Sequence, residues 1–107
     1  MNNAQLQERK LKVFPRGQGH LYPVFVERAR NSELWDVEGN RYIDFGTGIA
    51  VCNTGHSHPK VVAAVKEQVE RFSHTCLMVN PYESAVELAE KLTVLDPGYS
   101  DKKAIFV

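Results

Sequence analysis

The sequence predicts an α/β fold, and three features carry that expectation. "ELWDVEGNRYIDF" reads as a β-hairpin. Two later stretches, one beginning near Val61 and one near Tyr82, repeat apolar residues at helical spacing. The chain then closes on Ala104-Ile105-Phe106-Val107, apolar at every position. Apolar runs without alternation belong to strands buried on both faces, as in parallel sheets.

Ala4 to Lys12 is a short polar helix candidate, and Phe14-Pro15-Arg16-Gly17 ends it, because proline biases its predecessor away from helical dihedrals. Tyr22 to Ala29 is apolar enough for a strand, with Pro23 confining its start to a sheet edge. In the hairpin, Leu34–Val37 and Arg41–Phe45 alternate around the turn residues Glu38-Gly39-Asn40. Trp35 and Val37 are expected on one face of the first strand, and Ile43 and Phe45 on one face of the second. Ser57 is the expected N-cap of a helix with Pro59 in its first turn. Its apolar stripe is Val61, Val62, Val65, Val69 and Phe72, and Lys66, Glu67, Glu70 and Arg71 form its solvated side. A second helix starts at Asn80-Pro81-Tyr82-Glu83, with Asn80 and Glu83 spaced as a capping box. Tyr82, Ala85, Val86, Ala89 and Leu92 are its apolar positions, and Asp96-Pro97-Gly98 breaks it. The tail Ala104–Val107 is expected to be a buried strand, which needs neighbours the rest of the chain does not supply. The sequence therefore reads as the front of a larger protein, with apolar faces that invite self-association when left alone.

Bulk properties narrow the function. The chain has 107 residues, with 13 Lys and Arg against 13 Asp and Glu, so it has no basic footprint for nucleic acid. The longest apolar run, Val61 to Val65, is too short to span a membrane. "MNNAQLQERKLK" lacks the apolar core of a secretory signal. Two cysteines, Cys52 and Cys76, do not make a disulfide framework, and a reducing, cytoplasmic compartment is the expectation.

The stretch "GTGIAVCNTGHSHPKVVAAV" holds the candidate chemistry. Gly46, Gly48 and Gly55 match neither phosphate-binding glycine pattern, and read as sites of close backbone approach or positive φ. His56 and His58 form an H-x-H pair, which is not the usual spacing of zinc ligands, and no metal is assigned. Cys52 follows an apolar run and reads as inert packing. His74 lies near Cys76 in sequence, which is not a geometry. No Ser-His-Asp or paired-carboxylate pattern stands out.

Taken as a string, "WDVEGNRYIDFGTGIAVCNTGHSHPKVVAAVKEQ" resembles the N-terminal part of class III aminotransferases, which use pyridoxal phosphate. Pro15-Arg16-Gly17, His74-Thr75 and Tyr82-Glu83 also fit. The nearest likeness is to bacterial 4-aminobutyrate aminotransferases. The resemblance implies the N-terminal portion of a fold type I pyridoxal-phosphate transferase. Residues 1–58 would pack with the small domain, and residues 59–107 would form linker helices and the first strand of the large-domain sheet. It implies transfer of an amino group from an ω-amino acid to a 2-oxo acid such as 2-oxoglutarate, in a homodimer or tetramer. It places Ile49 and Met78 at the substrate. The 4-aminobutyrate enzymes commonly carry Gln at the second position. Met78 therefore departs from them and leaves ornithine, acetylornithine or a diamine open as donor. The family's phosphate-binding "T-G-[SA]-E-A" segment would begin just after Val107. The Schiff-base lysine and the aspartate that pairs with the pyridinium nitrogen would lie further on. No catalytic residue is therefore assigned, cofactor-contacting residues are unknown, and the chain alone is expected to be inactive. The alternative is a non-catalytic, truncated interaction module.

Overall fold

The computed structural model describes all residues, Met1–Val107. The chain divides into two compact units, Met1–Lys66 and Glu67–Val107, and the division falls inside a helix.

The first unit opens with α1 (Asn3–Val13), one residue longer at each end than the sequence pattern implies. Asn2 caps it: the Asn2 side chain accepts from Gln5 N–H at 2.9 Å, and the Gln5 side chain accepts from Asn2 N–H at 3.0 Å. This reciprocal pair satisfies two amide donors that a helix start leaves unmatched. Three strands follow: β1 (Val26–Arg30), β2 (Glu33–Asp36) and β3 (Arg41–Ile43), antiparallel in the order β1-β2-β3. β1 begins four residues later than expected, clear of Pro23. In the β2–β3 ladder Glu33 faces Ile43, Leu34 faces Tyr42 and Trp35 faces Arg41. Trp35 thus shares its face with Ile43, and the Arg28 guanidinium lies over its ring at 3.6 Å. Val37 and Phe45 fall outside the strands. β3 ends at Ile43, the pairing runs one bond further from Asp44 N–H to Ser32 O, and the Asp44 carboxylate turns to the next loop.

The hairpin turn is organised by Asp36, the one fully buried side chain. Its carboxylate accepts from Glu38 N–H, Asn40 N–H, the Asn40 side-chain amide, the Tyr42 hydroxyl and the Asn3 side-chain amide, all at 2.8–3.0 Å. Burial opposes its ionisation. The hydrogen bonds from Asn40, Asn3 and Tyr42 outweigh that and hold the carboxyl well below the usual carboxylate range. The same bond to Asp36 raises the Tyr42 phenol. Asn3 also donates to Glu38 and accepts from Phe25 N–H, so one side chain at the start of α1 ties that helix to the sheet.

After a single turn, α2 (Thr47–Ala50), α3 (Pro59–Arg71) starts where expected, with a different cap. Ser57 has φ +53° and donates its hydroxyl to Ala29 O. His58 takes the cap position: its carbonyl accepts from Val62 N–H and its Nδ1 from Lys60 N–H at 3.3 Å.

In the second unit α4 (Glu83–Leu95) is preceded by Tyr82, not Asn80, in the cap position, and no side chain caps it. Asn80 lies too far back, inside a turn whose carbonyl accepts from the Thr75 hydroxyl. Phe72 meets Tyr82 edge to face at 5.4 Å between centroids. Ala104–Val107 is not a strand in this chain. A strand exists only by pairing, and no segment of the chain forms a ladder with it. No apolar side chain is fully buried in either unit, and the stripes of α3 and α4 are largely exposed.

Candidate substrate-facing loop

The glycine-rich stretch folds around Asp44. One carboxylate oxygen, Oδ1, accepts from Gly46 N–H at 3.0 Å and Thr47 N–H at 2.9 Å. The other, Oδ2, lies 2.6 Å from His56 Nε2. The bond to His56 comes first, with the Thr47 amide behind it, in holding the Asp44 carboxyl below its ordinary value. Because an ionised carboxylate only accepts, Nε2 carries the proton, and in the neutral ring Nδ1 is then an acceptor.

The single helical turn that follows, α2 (Thr47–Ala50), is left-handed. φ is +45° at Thr47, +62° at Gly48, +60° at Ile49 and +61° at Ala50. Left-handed backbone costs about 1–2 kcal/mol for each residue with a Cβ, so Thr47, Ile49 and Ala50 together store a few kcal/mol. Carbonyls within the turn offset that cost. Gly46 O accepts from Ile49 and Ala50 N–H, and Thr47 O accepts from Val51 and Cys52 N–H. Backbone held in rare conformations by its surroundings collects at functional sites. Here it leaves the Ile49 side chain 95% exposed.

The loop returns at Gly55, φ +81°. A Cβ there would stand 2.9 Å from Asn31 Cα. The approach is close because Asn31 and His56 exchange both backbone hydrogen bonds, at 2.8 and 2.9 Å, in an isolated bridge. Gly48 and Gly55 therefore serve positive φ and, at Gly55, close approach, as expected, whereas Gly46, at φ −80° and with room for a Cβ, serves neither.

The same bonds test the loop as a phosphate cradle. The amides of Gly46, Thr47, Ile49, Ala50, Val51, Cys52, Gly55 and His56 are all donated within the chain. A cradle needs such amides free and convergent. These residues do not fit the cofactor's phosphate, and no chemical step is derived through the cofactor on this chain.

Met78 lies in the second unit, in the turn between α3 and α4, and its side chain is 94% exposed. Val79 and Asn80 N–H both donate to Cys76 O there, and Cys76 has φ +56°. A cavity of about 570 Å³ in the same unit is lined by His74, Leu77, Tyr82, Leu88 and Phe106 among others, and not by Met78. Ile49 and Met78 therefore sit in different units, each projecting from a turn with positive-φ backbone.

The two histidines of H-x-H have separate employments, His56 on Asp44 and His58 on its helix, and no group of three ligating side chains is placed to hold a metal ion. The sequence reading missed one constellation. Cys52 Sγ lies 3.5 Å from His56 Nδ1, which makes Cys52, His56 and Asp44 a hydrogen-bonded line instead of inert packing. The spacing D-x7-C-x3-H follows no known pattern, because the Asn31–His56 bridge brings the three together.

The family profile described as Aminotransferase class-III matches residues 13–107. The chain belongs to this family. It is 54% identical over 105 residues to a 5-aminovalerate aminotransferase of Pseudomonas putida, an alignment covering 98% of this chain and 25% of that protein. It is 49% identical over 106 residues to the 4-aminobutyrate aminotransferase of Escherichia coli, covering 99% and 25%. Among solved structures, an acetylornithine aminotransferase from Elizabethkingia anophelis superposes with TM-score 0.79 at 33% identity, over 89% of this chain and 24% of that one. The chain thus spans about a quarter of the length of the relatives it matches. The likeness confirms the α/β aminotransferase fold as the context of these two units, and class III aminotransferases are pyridoxal-phosphate enzymes.

Proposed function

We propose that this chain is the N-terminal part of a pyridoxal-phosphate aminotransferase that moves an amino group from an ω-amino acid to a 2-oxo acid such as 2-oxoglutarate. The observation that carries the reading is the family match across 13–107, together with relatives at 49–54% identity named for 5-aminovalerate and 4-aminobutyrate. The cofactor, when bound, supplies an electron sink for the carbanion of the donor. Its linking lysine and its phosphate site belong to other parts of the enzyme. No helix here is long and apolar enough to cross a membrane, and the enzyme is proposed to be cytoplasmic and to assemble as a homodimer or tetramer. Residues 1–58 are assigned to the part that packs with the small domain, and 59–107 to the linker helices and the start of the large domain.

Within this chain the proposed work is substrate selection. Ile49 is aliphatic, held outward by a strained turn, and offers a contact to the methylene chain of the donor. Met78 is unbranched and adaptable, which suits a donor chain longer than 4-aminobutyrate. The test is steady-state kinetics of the full-length enzyme with 4-aminobutyrate, 5-aminovalerate, ornithine and acetylornithine. Ile49→Gln is expected to change the ratio of kcat/KM between donors. Met78→Gln is expected to move preference toward 4-aminobutyrate, since a hydrogen-bonding side chain discriminates where a thioether does not. Unchanged donor ranking in both variants overturns the substrate-facing assignment. Absence of transamination with every ω-amino donor overturns the function itself and favours a non-catalytic interaction module.

A further inference from the structure

Cys52 is the one chemically able side chain of the loop that substrate selection leaves without a task. It is partly exposed and free of any disulfide. Its Sγ is 3.5 Å from His56 Nδ1, and His56 Nε2 is 2.6 Å from Asp44 Oδ2. Asp44 is itself fixed, since its other oxygen holds the Gly46 and Thr47 amides. His56 is fixed as well, by the two backbone bonds to Asn31. The order carboxylate, imidazole, thiol is that of an activated nucleophile: a base in reach of the sulfur, and a third group orienting the base. Cys76 provides the contrast within the same chain. It is partly exposed too, and its sulfur has no hydrogen-bond partner.

We propose that Cys52 is a modification site whose thiol reacts with small hydroperoxides, with His56 as the proton acceptor and Asp44 as the group that positions His56. In the reaction His56 Nδ1 takes the thiol proton as the sulfur attacks the terminal peroxide oxygen. The S–O bond forms and the O–O bond breaks. The sulfur is oxidised by two electrons to the sulfenic acid, and the peroxide is reduced to water or an alcohol. The leaving oxygen takes the proton from the imidazolium, which restores the neutral ring. Sulfenic acid formation at thiolate-forming, accessible cysteines is the reversible first rung of thiol oxidation.

The experiment uses the reduced full-length enzyme, hydrogen peroxide as oxidant and a cyclic 1,3-dione to trap sulfenic acid, with the label at Cys52 and at Cys76 followed by peptide mass spectrometry. Cys52 is expected to label at least about tenfold faster than Cys76, below the roughly hundredfold that a well-positioned base contributes at the least. His56→Ala is expected to bring the Cys52 rate down to that of Cys76 and to leave Cys76 unchanged. Equal rates at the two cysteines of the parent chain overturn the proposal, as does an unchanged Cys52 rate in a folded His56→Ala. If that variant loses the circular dichroism of the fold, the parent ratio decides alone. The readout is labelling, not transamination, so this proposal and the aminotransferase reading fail separately.

Discussion

The two units of the chain are built on different principles. In Met1–Lys66, side-chain hydrogen bonds reach across the sequence: Asn3 to Asp36 and Glu38, Phe25 to Asn3, His56 to Asp44, Ser57 to Ala29. In Glu67–Val107 the side-chain hydrogen bonds are local, as in Gln68 to Phe72, Thr75 to Asn80 and Thr93 to Glu90. The apolar stripe of α4, Val86 and Leu92 included, is half open to solvent. The first unit is cross-linked by polar groups around buried carboxylate chemistry, and the second is a pair of helical segments joined by a turn. Order that depends on ionised, fully partnered carboxylates has a pH limit and geometric pinch points. Order that depends on apolar stripes waits on what those stripes are packed against.

Acid should separate the units most sharply. Asp36 and Asp44 have folded-state values below the ordinary carboxylate value of 3.8. A depressed carboxyl contributes stability that is complete above its unfolded value and is lost as the pH falls through the folded one. Residue-resolved NMR should therefore show the sheet and the α1 contact intact at pH 5 and dissolving progressively below about pH 4. α4 should show no transition tied to either carboxylate. Simultaneous loss of both units across that window breaks the distinction.

Gly55→Ala tests the pinch point. The added methyl meets Asn31 backbone at 2.9 Å, and the residue must keep φ +81°. A loss of about 1–3 kcal/mol is expected in urea denaturation followed at the sheet. An unchanged midpoint means the Asn31–His56 bridge is dispensable. The smallest effect belongs to the second unit: Val69→Ala, on an exposed stripe position, should shift stability of this chain by no more than about 0.5 kcal/mol. A cost near 2 kcal/mol would show that the α3 stripe is buried against something in solution.

The periodic parts of the fold were legible in the sequence. The hairpin and both amphipathic helices lie within a few residues of where apolar spacing puts them, because local periodicity is what makes them, and α1 lies within one residue of the polar stretch ended by Pro15. Caps were less legible. Ser57 is a good cap by type, yet its φ is positive and its hydroxyl is spent on Ala29 O, so His58 takes the position. The terminal apolar run is unpaired in this chain, since strand character lies in the partner and not in the segment. Asp44, Cys52 and His56 were individually visible, and their alignment was not, since it follows from a backbone bridge to Asn31. Neither could spacing disclose the left-handed turn under Ile49: three of its four residues carry a Cβ and give no sign of φ above zero.

The Arg28–Trp35 stack has an optical consequence. Trp35 is the only tryptophan in the chain, and it lies in the middle strand of the first unit with a guanidinium over its ring at 3.6 Å. Glu67–Val107 contains tyrosines, Tyr82 and Tyr99, and no indole. Emission excited at the red edge, where only indole absorbs, therefore watches the sheet and is blind to α4. A single cuvette read by indole emission and by far-ultraviolet circular dichroism thus distinguishes melting of the first unit from melting of the chain, with no label attached.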